Sequence, residues 1–295
     1  MTWFKADALT NLANGAKIST WPDASGHGND AVQSIKSQKP TFLANGIGGL
    51  PVVHFNSTNQ TYLSFSRLVS GDFTISCLFR STQGLNSGTL FYQGAGLVNG
   101  EMAGTVSDFG TCLFSNGFVC AGTGNPDVSV NSSAGFNDGQ PHILTFTRAR
   151  TTGALNLYID GALASTTTGG MQPLTAPAQL VLGAQQTLIN FLTGDIAEVK
   201  IYDGALSDAE RVGEENYLRC KYALGPGAPP PAPENLAAAT SDHSVFLNWS
   251  PGVAASSYIL YRATNPVGPF AVAGMGITAT NYVDTNAASG RINYY

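Results

Sequence analysis

Charge is what this 295-residue chain has least of. Asp, Glu, Lys and Arg make up 11% of it, against roughly 25% in an average soluble domain. Lysine and arginine number only 14 and the net charge is −5, so the clustered cations that phosphate backbones require are missing and nucleic acid is excluded as a partner. No apolar run reaches the roughly 18 residues of a spanning helix, so no membrane span is expected. Catalytic and metal motifs are also missing: the sequence has no Cys-x-x-Cys, no His-Glu-x-x-His and no Gly-x-Ser-x-Gly. The histidines His27, His54, His142 and His243 are scattered, which reads as structural or surface use.

What the chain has instead is glycine, at 34 residues, and many short strand-like runs. Phe73–Phe79, His142–Thr147 and Leu155–Asp160 alternate apolar with polar residues, and Asp160-Gly161 is a two-residue hairpin turn into Ala162–Ala164. Gln179–Gly183 and Asp195–Tyr202 supply later strands. Regular strands with almost no helical periodicity predict an all-β sandwich. One helix is expected after Ser207-Asp208-Ala209-Glu210, where Ser207 and Glu210 have capping-box spacing. Five prolines within residues 225–233 read as an extended spacer. The four cysteines allow three pairings. Cys112 and Cys120 flank an Asn116-Gly117 turn, so a bridge across that hairpin is one reading, with Cys77 and Cys220 as the second pair; buried free thiols are the other.

The densest local signal is residues 19–30, Ser-Thr-Trp-Pro-Asp-Ala-Ser-Gly-His-Gly-Asn-Asp. Gly26 and Gly28 allow positive φ, and Asp23, Asn29 and Asp30 bring side-chain oxygens to one loop. Ca²⁺ takes six to eight oxygens of this mixed kind; an Asx-turn without metal uses the same residues. Glu198, a carboxylate inside the apolar strand Ile196–Ile201, must be paired or metal-bound to be tolerated there. Asp23, Asn29 and Glu198 are therefore the candidate side-chain ligands of a structural Ca²⁺.

The same loop carries a resemblance. Trp3–Ala8, Trp21–Ala31, Pro40 and Gly49–Phe55 resemble the opening of bacterial laminin-G-like domains of the concanavalin A-like lectin/glucanase superfamily. Gly194–Tyr202, Ala205-Leu206-Ser207 and Glu215–Tyr222 resemble that family's last strand, short helix and exit. The resemblance implies a laminin-G/concanavalin A-like jelly-roll sandwich over residues 1–224, with first and last strands side by side. It departs from the family at Ala197, where an acidic residue often stands, which removes one oxygen from the Ca²⁺ set. Residues 234–295 resemble a fibronectin type III domain: Asn235–Ala238, Val245–Trp249, Tyr258–Arg262 and Tyr282–Asp284 correspond to its strands A, B, C and E. Strand G is missing, so the expectation is an incomplete domain, continued beyond Tyr295 in the parent protein and able to pair through its open edge. Met1 leads straight into the first strand, which suggests a mature secreted or cell-surface chain whose leader has been removed.

Because the superfamily includes glucanases, catalysis has to be weighed. Glycosidases need two carboxylates roughly 5 Å or 6.5–9.5 Å apart. None of the six glutamates, at 101, 198, 210, 214, 215 and 234, forms the strand pattern Glu-x-Asp-x-x-Glu, and Asp195 and Glu198 at odd spacing should face opposite sides. The leading expectation is a non-catalytic module that binds a polysaccharide or glycoconjugate; a glycoside hydrolase with a non-standard site is the alternative. Sugar binding uses aromatic faces with planar polar groups. In the long glycine-rich region 84–139, Tyr92, Asp108, Phe109, Asn116 and Phe118 are the candidates.

Overall fold

A computed structural model describes residues 1–83, 86–224, 233, 235–241, 244–251 and 257–295. The proline-rich spacer lies almost wholly outside the described residues. The chain divides into two compact units, Met1–Glu215 and Asn216–Tyr295.

Among the described residues, the first unit has sixteen strands. In chain order they are β1 (Thr2–Lys5), β2 (Thr20–Trp21), β3 (Ala31–Val32), β4 (Thr41–Ile47), β5 (Leu50–Phe55), β6 (Leu63–Ser66), β7 (Phe73–Ser81) and β8 (Ala95–Asn99). There follow β9 (Phe109–Leu113), β10 (Val119–Thr123), β11 (Val128–Asn131), β12 (Pro141–Ala149), β13 (Ala154–Ile159), β14 (Ala162–Thr168), β15 (Gln179–Leu182) and β16 (Gly194–Tyr202). Two eight-stranded antiparallel sheets result. Sheet A runs β14-β13-β12-β7-β16-β5-β4, with β1 also paired to β16; sheet B runs β11-β10-β9-β8-β15-β6-β3-β2. Beside β16 lie β1 and β7, so chain start and chain end of the unit do meet, Phe4 opposite Val199 and Lys5 opposite Glu198.

One continuous core fills the space between the sheets. Sheet A contributes Phe4, Phe55, Phe73, Phe79, Phe146 and Val199; sheet B contributes Trp21, Phe65, Leu97, Phe109 and Leu182. Rings from the two layers interlock, Phe73 against Phe109 at 4.6 Å and Phe4 against Phe65 at 5.0 Å, in the tilted and edge-on arrangements that aromatic quadrupoles favour. Asp160 and Gly161 both adopt positive φ, 52° and 87°, as a type I′ turn demands, and join β13 to β14. Helix α1 (Asp208–Lys221) starts on the expected reciprocal cap: the Ser207 hydroxyl and amide donate to Glu210, and the Glu210 amide donates back to Ser207 Oγ.

The outer face of sheet A is an ion-pair surface. Glu198, 1% exposed, accepts from Trp3 Nε1 at 2.6 Å and lies 3.7 Å from Lys200 Nζ, which also donates to Glu214 at 2.8 Å. Asp195 accepts from His54 and Arg80. Spacing alone put Asp195 and Glu198 on opposite faces, and this is corrected: a β-bulge between Ile196 and Glu198 inserts one extra residue and reverses the alternation. Ile196 and Val199 both enter the core, so both acids turn outward.

His142 holds the neighbouring corner, bonding Asp160 at 2.8 Å and Asp138 at 3.0 Å. Burial would lower its pKa, but the two carboxylates win and raise it. A raised folded-state pKa means stabilisation that is complete below the unfolded value of about 6.5 and lost as pH rises through the folded value. The destabilisation caused by His142→Gln is accordingly expected to be larger at pH 6 than at pH 8.5 in urea unfolding; a pH-independent difference would show the imidazolium pairs to be without weight.

The second unit, by itself, has strands β17 (Ala237–Ser241), β18 (Ser244–Asn248), β19 (Tyr258–Arg262), β20 (Ala271–Ile277) and β21 (Asn281–Asp284). They form a three-stranded sheet, β17-β18-β21, and a β19-β20 pair. Trp249, Val245, Leu247 and Leu260 make its small core.

Candidate functional site

All four cysteines are free thiols. Cys112 and Cys120 stand directly opposite on β9 and β10, buried beneath Phe91.

The loop after β2 is closed by its own hydrogen bonds. Asp23 Oδ1 accepts from the amides of Trp3 (2.9 Å) and Ser25 (3.0 Å), and Oδ2 from Ser25 Oγ (2.8 Å) and the Asn29 amide (3.2 Å). Asn29 spans to β6, donating to the Ser66 carbonyl and Thr2 Oγ1 while accepting from the Ser66 amide. Glu198 is committed to Trp3 and Lys200. The three candidate Ca²⁺ ligands thus point at separate protein donors, and among the described residues no group of three or more His, Cys, Asp or Glu is placed to hold a metal. This donor set does not fit a Ca²⁺ ion. The carboxylate of Asp23 performs the clipping role itself, joining the loop to β1.

The candidate sugar-binding residues separate. Phe109 faces inward and is fully buried against Phe73, so its ring offers no stacking face; that expectation is corrected. Asn116 is exposed, but its Oδ1 accepts from the Phe118 amide and braces the β9–β10 turn. Phe118 and Tyr92 are half-buried against Phe91, whose ring covers Gly110 and Gly122 on the outer face of sheet B.

Asp108 is 2% exposed and accepts from the Met102 amide. Burial, with Glu101 and Asp127 adding repulsion, pushes its pKa up to about 7. Glu101 is raised as well, chiefly by burial, and Tyr92, raised for the same reason, hydrogen-bonds Asp127. Tyr92 and Asp108 therefore do come together, in an acidic cluster with Glu101 and Asp127 at one end of sheet B. Asn99, fully buried beside it, keeps an Nδ2 with no hydrogen-bond partner among the described residues.

At the other end of sheet B is an open groove of about 400 Å³ across β2, β3 and β6. Thr20, Val32 and Ser64 lie in one register row, Thr20 opposite Val32 and Val32 opposite Ser64, all turned away from the core that Trp21, Ala31, Leu63 and Phe65 enter. Ser19, Gln33, Ser34, Ile35, Lys39 and Tyr62 complete the walls. Gln33 is held in place, donating to the Tyr62 carbonyl and accepting from the Ile35 amide. Val32 and Ile35 are 46% and 51% exposed. The lining is thus hydroxyls, one amide, one phenol ring and two apolar flanks, with a single charge, Lys39. None of it was singled out from sequence as a sugar-binding surface. The signal that could have found it is the small polar residue at outward positions of β2 and β6, Thr20 and Ser64, on either side of the exposed Val32.

Residues 55–210, just over half of the chain, match the laminin-G-like family of the concanavalin A-like lectin/glucanases superfamily. The chain belongs to that superfamily. Among solved structures, the binding domain of Paraclostridial Mosquitocidal Protein 1 shares the fold at 14% identity and TM-score 0.54, over 88% of this chain and 65% of its own length. The binding domain of botulinum neurotoxin serotype D is similar at 14% identity and TM-score 0.51, over 89% of this chain and 68% of that one. Domain 4 of a GH43 extracellular arabinanase from Geobacillus stearothermophilus, in complex with arabinotriose, aligns at 17% identity and TM-score 0.49, over 72% of this chain and 96% of its own. No curated protein matches. At these identities the likeness is one of fold: an all-β lectin/glucanase sandwich, in which no described helix is long and apolar enough to cross a membrane.

Proposed function

We propose that the first unit is a glycan-binding module of a secreted or cell-surface protein, and that a weakly charged saccharide occupies the groove across β2, β3 and β6. The observation that carries this reading is the groove's chemistry. A pyranose presents hydroxyls on its rim and C–H groups on its faces; Ser19, Thr20, Gln33, Ser34 and Ser64 suit the first, Tyr62, Val32 and Ile35 the second. Membership of a superfamily of lectins and glucanases supports it. The second unit is proposed as a fibronectin type III-like tether. A plant, fungal and bacterial polysaccharide array should give at least one binder. Ser64→Arg fills the groove from a half-buried, outward-facing strand position and should weaken that binder about tenfold, or 1.4 kcal/mol, with the melting temperature unchanged. Silence on the array, or full binding by Ser64→Arg, would remove the reading.

A second reading, a glycoside hydrolase, is favoured by one observation: Asp108 near neutrality beside Glu101 resembles an acid paired with a second carboxylate. Both groups are nearly buried, and each accepts from a protein donor, Asp108 from the Met102 amide and Glu101 from the Thr187 hydroxyl, so binding without turnover is the leading expectation. Reducing ends released by the wild type and not by Asp108→Asn would reverse the order.

A further inference from the structure

Two of the four thiols share one rung of sheet B. Cys112 on β9 stands opposite Cys120 on β10, both fully buried on the outer face, and neither belongs to the groove or to the acidic cluster. Cys77 has no such neighbour: it enters the core, opposite Leu144 on one side and Val199 on the other. Cys220 lies half-buried on α1.

The position of the rung sets its geometry. At the turn of this hairpin the Phe114 amide donates to the Phe118 carbonyl, and at its far end the Gly124 amide donates to the Asp108 carbonyl. Bonded and non-bonded pairs alternate along an antiparallel ladder, which makes Cys112 and Cys120 a hydrogen-bonded pair. Their Cα atoms are then about 5.5 Å apart, inside the roughly 4.4–6.8 Å range of disulfides. The Cβ atoms of such pairs lie at the wide end of about 4.5–5.5 Å, so a bridge has to draw them in by roughly 1 Å. The next pair on the same face is Gly110 opposite Gly122, where backbone without side chains yields to that closure.

The 89–94 segment covers both thiols. Cys120 Sγ donates to the Thr89 carbonyl at 3.8 Å, and a Cβ on Gly94 would stand 2.7 Å from Cys112 Sγ. Side chains hold that cover in place: Asn131 Nδ2 donates to the Thr89 carbonyl, Gln185 Nε2 to the Gly94 carbonyl, and the Phe91 amide to Ser129 Oγ.

We propose that Cys112 and Cys120 form a reducible cross-strand disulfide, with a low-molecular-weight disulfide such as oxidised glutathione as the oxidant. One cysteine thiolate attacks the glutathione disulfide, giving a mixed disulfide and releasing one glutathione thiolate. The second cysteine attacks the protein sulfur of that mixed disulfide, so the Cys112–Cys120 bond forms and the second glutathione leaves. Two cysteine sulfurs are oxidised, one glutathione disulfide is reduced, and the two thiol protons pass to the released thiolates. Burial, and then the neighbouring Cys120 thiol, hold the Cys112 pKa well above its ordinary value, and buried thiols of this kind react slowly. Closure therefore belongs to folding, before the 89–94 segment settles, or to openings of that cover. Secreted and cell-surface proteins meet the oxidising conditions that the step needs. A bridge drawn in from a hydrogen-bonded pair is strained, and strained disulfides are the readily reduced ones.

The full chain, refolded from its reduced and unfolded state with excess oxidised glutathione, should carry this link. Chymotrypsin cuts after Phe114 and Phe118 and so separates the two cysteines; non-reducing mapping should find their peptides joined and Cys77 unlinked. Excess reduced glutathione, added to the folded protein, should release the link with the circular dichroism spectrum unchanged. In Cys112→Ala the remaining three cysteines should stay unlinked. Unlinked Cys112 and Cys120 peptides after oxidation overturn the proposal, whether their thiols are free or carry glutathione. So does a link between any other pair. A 112–120 link that reduced glutathione fails to open overturns its reducible character.

Discussion

Arg148→Met should destabilise the first unit by about 3–5 kcal/mol, because three buried carbonyls are left without a donor. Arg148 is fully buried, and its guanidinium donates to the carbonyls of Gly71 (2.5 Å), Gly170 (2.9 Å) and Gln172 (2.7 Å). Those carbonyls belong to the entry of β7 and to the segment that follows β14, two stretches of irregular chain that have no ladder to bond to. Burial, and to a lesser degree Arg150, pull the guanidinium's pKa down, but from so high a starting value that it stays charged. With methionine in place, packing volume is largely kept while three carbonyls lose their donor, at about 1–3 kcal/mol for each buried group left unsatisfied. A domain of this kind has about 5–15 kcal/mol in total, so the loss is a large share of it. Arg148→Lys should restore less than half, because one ammonium on a flexible stem cannot reproduce the planar fork. Urea unfolding measures both. A Met variant within 1 kcal/mol of wild type would mean that the two segments are held by something else.

Asp23→Ala should cost about 3 kcal/mol, and a chelator should cost nothing. Four donors converge on the Asp23 carboxylate, three of them backbone amides. Those amides lie where β1 meets the loop after β2, so alanine leaves them without an acceptor and opens the closure between chain start and sheet B. Burial by itself would raise the pKa, yet the donors from Trp3, Ser25 and Asn29 prevail and hold it below the usual carboxylate range. A lowered folded-state pKa gives stability that is present above the unfolded value of about 3.9 and is lost as pH falls through the folded one. The gap between wild type and Asp23→Ala should therefore close in acid, below about pH 4. Thermal melts with and without a calcium chelator separate this account from a metal clip: a drop of several degrees on chelation would establish a cation that the donor geometry does not favour.

Strand positions and the sandwich class were legible because alternation and turn chemistry are local. Asp160-Gly161, the Ser207–Glu210 cap and the strand through Ile196–Tyr202 need only neighbours in sequence to be read. The pairing of chain start with chain end came from the family resemblance, and the structure places β1 against β16 as that implied. Phe109 was misassigned for a definite reason. All five residues of β9 are buried, because the 89–94 segment covers the outer face of sheet B there, and a strand buried on both faces loses the alternation that tells inside from outside. Asp195 and Glu198 were misassigned because one bulged residue, invisible in composition, shifts every later side chain to the other face.

By itself the sequence determined an all-β sandwich with a weakly charged surface, and its motifs carried the resemblance to the lectin/glucanase superfamily. It also left Asp23 as either a Ca²⁺ ligand or the acceptor of a metal-free Asx-turn. Only the tertiary structure brings the Trp3, Ser25 and Asn29 amides onto that carboxylate. The groove, too, exists only in three dimensions. Thr20, Val32 and Ser64 are separated by up to 44 positions in the chain and become neighbours through antiparallel pairing of β2, β3 and β6. Likewise no local rule distinguishes β14 from β4 as a strand; one is open and the other covered because residues 15–18 fold back along only one of them. Side-chain periodicity is written into consecutive residues, whereas cavities and bare edges depend on which distant segments the fold brings together, or leaves apart.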